Sequence, residues 1–401
     1  MSGGVALGRR GYSAPFFAAY FLYYAGYCVF SSFIVPYLTQ LGISATLCGV
    51  ITSLTLLANL LMEPVGGYIT DTFLTTRKYL LICIGLISAL CVTLWAERPL
   101  VSIPLLVLEA GLAYPFSQLM DAWVDGSRAL DPGLIYSRVR AGGSIGFAAA
   151  SIAAGYCFRL FGWDGYFLIQ AGLFCLMIPF LLALPKLELG NRREQNQDVL
   201  SMAMAFRVLG KNPRYLLCLL LCTLYWFSHR PIGSFLSLIV QDRAGDAGVY
   251  GAVCGAGAVV ECLGLLALAV FQRRIGCSQW FLMGGALAAG LLRPICFWLL
   301  PGLWPLYVGQ CLQSLSFAFF FSGSVECFAR TADRRVRSFS ISMGLTVSSV
   351  AGTIGANLLG GWLCDLLGSW TIVLLSLGVS AGNCLLFLAC WFLILHREPS
   401  S

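Results

Sequence analysis

Several ionisable side chains sit inside strongly apolar stretches, where water is not at hand to solvate them: Glu63, Glu109, Asp121, Arg140, His229, Arg230, Glu261 and Arg293. Burying such a group in hydrocarbon costs roughly 2.5–3.5 kcal/mol on insertion scales, so each is a functional candidate by default. Asp121 and Arg140 form the first constellation. On adjacent antiparallel helices a carboxylate and a guanidinium can meet, and both offer oriented hydrogen bonds to a hydroxyl-rich solute. Both also lie near a helix end, where a salt bridge that only closes a gate is the competing role. Phe147 lies two turns beyond Arg140 on the same helical face. Glu261 is the candidate for a proton-binding or substrate-binding carboxylate, with Arg293 as its charge partner, or else the two make a permanent structural ion pair. In His229-Arg230-Pro231 a side chain that titrates near physiological pH stands beside a residue that frees a backbone carbonyl and bends a helix. That pair either faces a cavity or fixes packing between helices. Glu109 is a candidate substrate contact, and Glu63, given its position near Asp71, a gate or packing acid.

The elements that must position these groups follow from composition. The 401 residues are 59% hydrophobic and 11% charged, with a mean hydropathy of +0.83. Soluble domains are about 45–50% apolar and about 25% charged, so a soluble globular or disordered chain is excluded. An integral membrane protein remains. A spanning helix needs about 20 apolar residues, and the apolar windows give twelve spans, at 15–38, 45–70, 78–96, 101–124, 138–161, 164–185, 213–239, 248–271, 279–299, 303–328, 338–363 and 370–395. The expected class is an all-α polytopic protein of two six-helix halves, 1–185 and 213–401, joined by a polar cytoplasmic linker, 186–212.

Of the 25 Lys and Arg residues, twenty fall on one side of this parse, including Arg9, Arg10, Arg192, Arg193, Arg207, Arg334, Arg335 and Arg397. Only Arg98, Arg159 and Arg243 fall on the other, and Arg230 and Arg293 lie within spans. The positive-inside rule then places both termini in the cytoplasm of a bacterial inner-membrane protein. The net charge of +7 reads as topology, with no basic stripe to engage nucleic acid. The apolar stretch after Arg9 and Arg10 is too long for a signal peptide and is expected to be the first span. The 17 cysteines include no C-x-x-C pair and no metal-spaced cluster, so Cys218, Cys222 and most others are expected to act as small hydrophobes. No metal and no cofactor are expected.

Small-residue runs mark close helix contacts, as in Gly142-Gly-Ser-Ile-Gly146 through Gly155, in Gly251-x-x-x-Gly255 and at Gly352, Gly355, Gly360 and Gly361. The segment Gly155-Tyr-Cys-Phe-Arg-Leu-Phe-Gly162 is echoed 206 residues later by Gly361-Trp-Leu-Cys-Asp-Leu-Leu-Gly368, with the glycines in register. That is an internal repeat of the two halves.

The stretch Gly66-Gly-Tyr-Ile-Thr-Asp71-Thr-Phe-Leu-Thr-Thr-Arg77-Lys78 resembles the loop signature of the major facilitator superfamily, with Thr72 where a basic residue is usual and Leu74 where a glycine is common. Ser137-Arg-Val-Arg140-Ala-Gly-Gly-Ser-Ile-Gly146-Phe147, preceded by Asp121, resembles the oligosaccharide:proton symporter branch, with its lactose-permease-like and nucleoside-transporting members. Glu63-Pro64 and Glu261 ahead of Arg273-Arg274-Ile275-Gly276 and Arg293 are further matches. The resemblance implies that Asp121 and Arg140 bind sugar, that Phe147 takes the place of a ring-stacking tryptophan, and that Glu63, Asp71, Arg77 and Lys78 gate. Glu261 with Arg293, and His229 with Arg230, are the expected proton-coupling groups. Where the branch carries a histidine and a glutamate on span ten, this chain has Gln313 and Ser316. Neither binds a proton, so the coupling machinery is rearranged or absent.

The expected function is secondary active transport of a sugar, glycoside or nucleoside by a monomer in the lipid bilayer, by alternating access and proton symport. The alternatives are a proton-coupled exporter of drugs or other amphipathic compounds and a non-transporting nutrient sensor. There is no G-x-x-x-x-G-K-[ST] loop for ATP, no serine elbow and no H-E-x-x-H, so an enzyme is not expected.

Overall fold

The computed structural model describes residues 11–96, 102–187, 208–275, 278–331 and 337–393. Arg9, Arg10, Arg98, Arg192, Arg193, Arg207, Arg334, Arg335, Arg397 and most of the expected linker lie outside the described residues, as do the side chains of Arg273 and Arg274.

In hydrocarbon every backbone N–H and C=O must be satisfied internally, which leaves helices as the economical solution for long apolar stretches. Among the described residues, twelve helical segments are long and apolar enough to cross a membrane. The helices are α1 Ser13–Gln40, α2 Ala45–Thr72, α3 Thr76–Ala96, α4 Ile103–Ala113, α5 Phe116–Ser127, α6 Tyr136–Phe161, α7 Tyr166–Ala183, α8 Pro213–Ser234, α9 Leu236–Asp242, α10 Ala247–Ile275, α11 Gln279–Leu299, α12 Trp304–Thr331, α13 Arg337–Leu367 and α14 Trp370–Leu393. Large apolar side chains such as Phe161, Leu367 and Phe392 are exposed, while Gln170, Arg293, Gln310 and Asn357 are buried. This apolar-out, polar-in arrangement is the one a bilayer selects.

Two spans differ from the sequence reading. In the fourth the hydrogen-bond ladder is interrupted at Tyr114–Pro115, between α4 and α5, because proline has no N–H to donate, while both residues keep helical dihedrals. The hydroxyl of Tyr23 donates to the Tyr114 carbonyl at 3.4 Å. The seventh ends at Ser234, and Phe235 turns the chain into the short α9.

The chain divides into two compact units. The first comprises Met1–Ser31, Ala58–Ser151 and Gly162–Arg192. Its core is aromatic: Tyr23 stacks on Phe116 (5.6 Å between centroids, planes 5° apart), Phe174 meets that ring edge-on, and Trp123 packs against Phe16. The α6 glycines lie on α1. A Cβ on Gly142 would come within 2.5 Å of the Phe17 carbonyl oxygen, and one on Gly146 within 2.2 Å of that of Phe21. Only hydrogen fits at these positions, and the two backbones touch as the small-residue run predicts.

The second unit comprises Ser32–Leu57, Ile152–Phe161 and Arg193–Ser401. Its core gathers Tyr225, Trp226, Met283, Phe320 and Phe328. Within it the sequence repeat acquires a structural meaning. Gly155 and Gly361 each press on the first residue of another helix, a Cβ lying 2.6 Å from the Ala247 carbonyl oxygen in one case and 2.5 Å from that of Ala45 in the other. Four residues on, Arg159 pairs with Asp246 at 3.0 Å ahead of α10, and Asp365 accepts from the Ala45 and Thr46 amides (2.8 and 2.7 Å) at the start of α2. The repeat-closing glycines Gly162 and Gly368 both take positive φ, 77° and 90°, the left-handed conformation that ends a helix without a Cβ penalty.

Candidate functional site

In the first unit, the Gly142/Gly146 contact holds the start of α6 against α1 and so brings Arg140 to two tyrosines one helical turn apart. Arg140 Nη2 donates to the Tyr24 hydroxyl at 2.6 Å, with its guanidinium carbon 4.4 Å from the centre of that ring and 5.7 Å from that of Tyr20. Tyr24 in turn shares a hydrogen bond with Ser117 Oγ at 2.8 Å. The Tyr20 hydroxyl donates to Asp121 Oδ1 at 2.5 Å. Tyr136 lies close to both the carboxylate and the guanidinium. Asp121 and Arg140 are thus gathered in one cluster, as their spacing predicts, yet tyrosines stand between them. The ion pairs among the described residues are Arg128–Asp125, Arg159–Asp246 and Arg330–Glu326. Phe147 is half-buried on the same helix, seven residues on.

Glu109 sits elsewhere in this unit. It has no exposed surface, it accepts from Gln170 Nε2 at 2.6 Å, and its Oε2 has no hydrogen-bond partner. Twelve residues separate it from Asp121, roughly 18 Å of helical rise. Singled out as a candidate substrate contact, it is enclosed among α3, α4 and α7, since Gln170 also receives the Cys91 thiol at 3.8 Å.

The second unit holds the other charged group. Arg293 is 1% exposed; its Nη1 donates to the His229 carbonyl at 3.3 Å and its Nη2 to Gln310 Oε1 at 3.0 Å, while Nε has no partner. The expected partnership of Arg293 with Glu261 is replaced by these neutral acceptors, and the cation acting on Glu261 is Arg230. Arg230 lies 4.7 Å over the Trp226 ring. His229 stacks on Tyr225 (5.1 Å, 19°), which stacks on Phe320 at 3.7 Å. Ser316, at the span-ten position singled out above, is buried and bonds the Tyr225 hydroxyl (3.1 Å) and the Ala286 carbonyl (2.7 Å). A neutral hydroxyl chain occupies that place. Gln313 Oε1 is buried without a partner.

Of the expected gate residues, Glu63 is half-buried in α2, which runs unbroken through Pro64. Asp71 and Lys78 are exposed at facing ends of α2 and α3. The Arg77 guanidinium donates to the Leu182 carbonyl, and Trp123 Nε1 donates to the Pro185 carbonyl at 3.0 Å. A cation on the last carbonyls of α7 suits the negative end of that helix.

Tyr20, Tyr24, Ser117, Tyr136, Gln170 and Gln310 were not singled out from sequence. The run Tyr20-Phe-Leu-Tyr-Tyr-Ala-Gly-Tyr27 carried the available signal for the first two: phenols four apart on a spanning helix need partners for their hydroxyls.

The sequence matches the MFS_1 like family over residues 16–374, and the chain belongs to that family of major facilitator transporters. The fold is similar to that of the nucleoside transporter NupG (TM-score 0.82, 18% identity, 97% of this chain and 100% of that one). It is also similar to that of a peptide transporter of the POT family (0.75, 14%, 98% and 96%). A third likeness is to a bacterial homologue of the human lysosomal transporter Spinster (0.69, 16%, 99% and 100%). No curated protein matches the sequence significantly. The protein is therefore a multi-pass membrane transporter of the major facilitator type.

Proposed function

We propose that the protein is a secondary active transporter that carries a small, hydroxyl-bearing solute, a sugar, glycoside or nucleoside, across the cytoplasmic membrane by alternating access of its six-helix halves, 1–185 and 213–401. Both termini face the cytoplasm, and the chain works as a monomer. The observation that carries this reading is the Asp121–Tyr20 and Arg140–Tyr24–Ser117 cluster. A carboxylate and a guanidinium that are not consumed by each other keep hydrogen-bond positions for solute hydroxyls. Phe147, on the same face of α6, offers a ring for a sugar or base to stack on. The NupG likeness, though it speaks only for the fold, is consistent with a nucleoside-sized solute.

The coupling ion is the proton, and its site is the Glu261, Arg230, His229 and Arg293 group. Here Glu261 is a carboxyl beside Arg230, so its protonation changes the charge balance of the group. Glu63, Asp71, Arg77 and Lys78 act at the cytoplasmic gate.

Reconstituted protein tests the reading. Thermal-shift screening against sugars, nucleosides and organic acids at pH 5.5 and 7.5 is expected to show stabilisation by a hydroxyl-bearing neutral solute, lost in Asp121→Ala and Arg140→Ala. Stabilisation that survives in both variants removes the binding assignment. An inward proton gradient is expected to drive uptake in vesicles, with solute-dependent alkalinisation outside that disappears in Glu261→Gln. Outward, drug-dependent flux instead identifies an exporter.

A further inference from the structure

Direct pairing of Asp121 with Arg140 is what their charges favour, and the structure prevents it with phenols. Tyr20 and Tyr24 are one turn apart on α1 and therefore on one face. The first gives its proton to Asp121 Oδ1 (2.5 Å), while its ring lies 5.7 Å from the Arg140 guanidinium carbon. The second accepts from Arg140 Nη2 (2.6 Å) and lies 4.4 Å beneath the same guanidinium. Arg140 is thus held by the Tyr24 hydroxyl and the faces of two rings, Asp121 by the Tyr20 hydroxyl, and the Tyr136 hydroxyl lies beside both. A guanidinium has five N–H donors and a carboxylate about four acceptor positions, so this arrangement leaves most of both unused. A bidentate ion pair fills two on each side and fixes the two planes together. The rigid support for the arrangement is backbone: α6 cannot retreat from α1 without opening the Gly142 and Gly146 contacts. A Cβ at Gly143 would lie 2.8 Å from Arg140 Nη1 and 2.6 Å from the Tyr24 ring, so there is no slack for another side chain beside the guanidinium.

We infer that Tyr20 and Tyr24 are positioning residues that hold Asp121 and Arg140 apart, each phenol occupying the place that a solute hydroxyl takes on binding. The inference rests on the solute-binding role proposed for Asp121 and Arg140. It adds a selectivity that charges alone do not supply. A neutral polyol or nucleoside exchanges one hydroxyl for another at each charged group and leaves the separation intact. An anionic or cationic solute must displace a phenol and then compete with the neighbouring opposite charge, so neutral solutes are preferred.

The test uses the full-length protein in detergent and in vesicles, with Tyr20→Phe, Tyr24→Phe and the double variant, which keep the rings and remove the hydroxyls. In the double variant the two charges collapse onto each other. A cycle of melting temperatures reads this without any solute. Asp121→Asn, whose amide oxygen still accepts from Tyr20, is expected to shift melting little in the native background. In the double-phenylalanine background, where it breaks the new ion pair, the shift is expected to be several degrees. Equal shifts in both backgrounds overturn the inference.

Uptake of uridine, adenosine and methyl glucoside supplies the second readout. For whichever of these the native protein carries, the double variant is expected to raise KM about tenfold with the maximal rate largely kept. A lowered maximal rate at unchanged KM overturns the positioning role. The two levels of the argument separate cleanly. Loss of binding in Asp121→Ala and Arg140→Ala with native behaviour of the phenylalanine variants removes the tyrosines alone. Native binding in Asp121→Ala and Arg140→Ala removes the solute site itself.

Discussion

Arg293 shows how a single residue separates stability from function. Its guanidinium is buried, it contacts a backbone carbonyl and an amide oxygen, and one of its nitrogens has no partner. Enclosing a cation without a carboxylate is costly, and replacing buried ionic groups by apolar ones of similar volume is often neutral or stabilising. Arg293→Met is therefore expected to leave melting within a few degrees of native while vesicle uptake falls at least tenfold. A collapse in folded yield instead identifies Arg293 as structural. Glu109 makes the opposite prediction. Glu109→Gln keeps an oxygen for the Gln170 amide, whereas Glu109→Leu leaves that buried donor unsatisfied at about 1–3 kcal/mol. The leucine variant is thus expected to melt well below the glutamine variant, and similar melting of the two removes Gln170 as the relevant partner.

At the scale of elements, the glycine-bearing crossings decide what each helix end can do. Asp365 holds three donors at the start of α2, the Ala45 and Thr46 amides and the Thr46 hydroxyl. A carboxylate at a helix N-terminus satisfies orphan amides and meets the positive end of the dipole. Losing such a cap costs about 0.5–2 kcal/mol. Its repeat-related counterpart, the Arg159–Asp246 pair, is half-exposed on both sides, with side chains 51% and 44% accessible. Pairs of that kind contribute about 0–1 kcal/mol. Asp365→Ala is therefore expected to loosen this end of the second unit more than Arg159→Gln does. Labelling of Thr46→Cys by a membrane-impermeant maleimide measures the difference, and equal labelling in the two variants removes the cap as the stronger fastening. The pattern Gly155…Gly162 and Gly361…Gly368 was legible in the sequence because only glycine permits both the close contact and the left-handed turn. What each glycine touches was not legible, since the first residues of α2 and α10 carry no mark of their partners. The break of the fourth span at Pro115 was missed for a related reason. Hydropathy runs straight through it, and only backbone chemistry interrupts the helix.

For the whole molecule, the alternating-access cycle proposed above predicts that the fastenings at the start of α2 open once per turn. In a background freed of reactive native cysteines, a disulfide between Thr46→Cys and Asp365→Cys is expected to stop solute flux, and reductant to restore it. Flux through the crosslinked protein removes this end as a moving gate.

The sequence by itself determined that the chain spans a membrane and about how many times, while its Gly66–Lys78 and Ser137–Phe147 motifs resembled the family the chain belongs to. The span count follows from hydrocarbon thickness and the cost of burying charge, which act on each segment independently of its neighbours. The tertiary structure alone decided who pairs with whom. Asp121 goes to Tyr20 and Arg140 to Tyr24; Arg293 goes to a carbonyl and an amide, with Arg230 beside Glu261; Glu109 is enclosed by α3 and α7. A helix that is apolar nearly all round does not specify its own rotation, and hydrogen bonds are made or lost over less than an ångström. That rotation is set by close contacts such as Gly146 on Phe21, which exist only once the helices have packed.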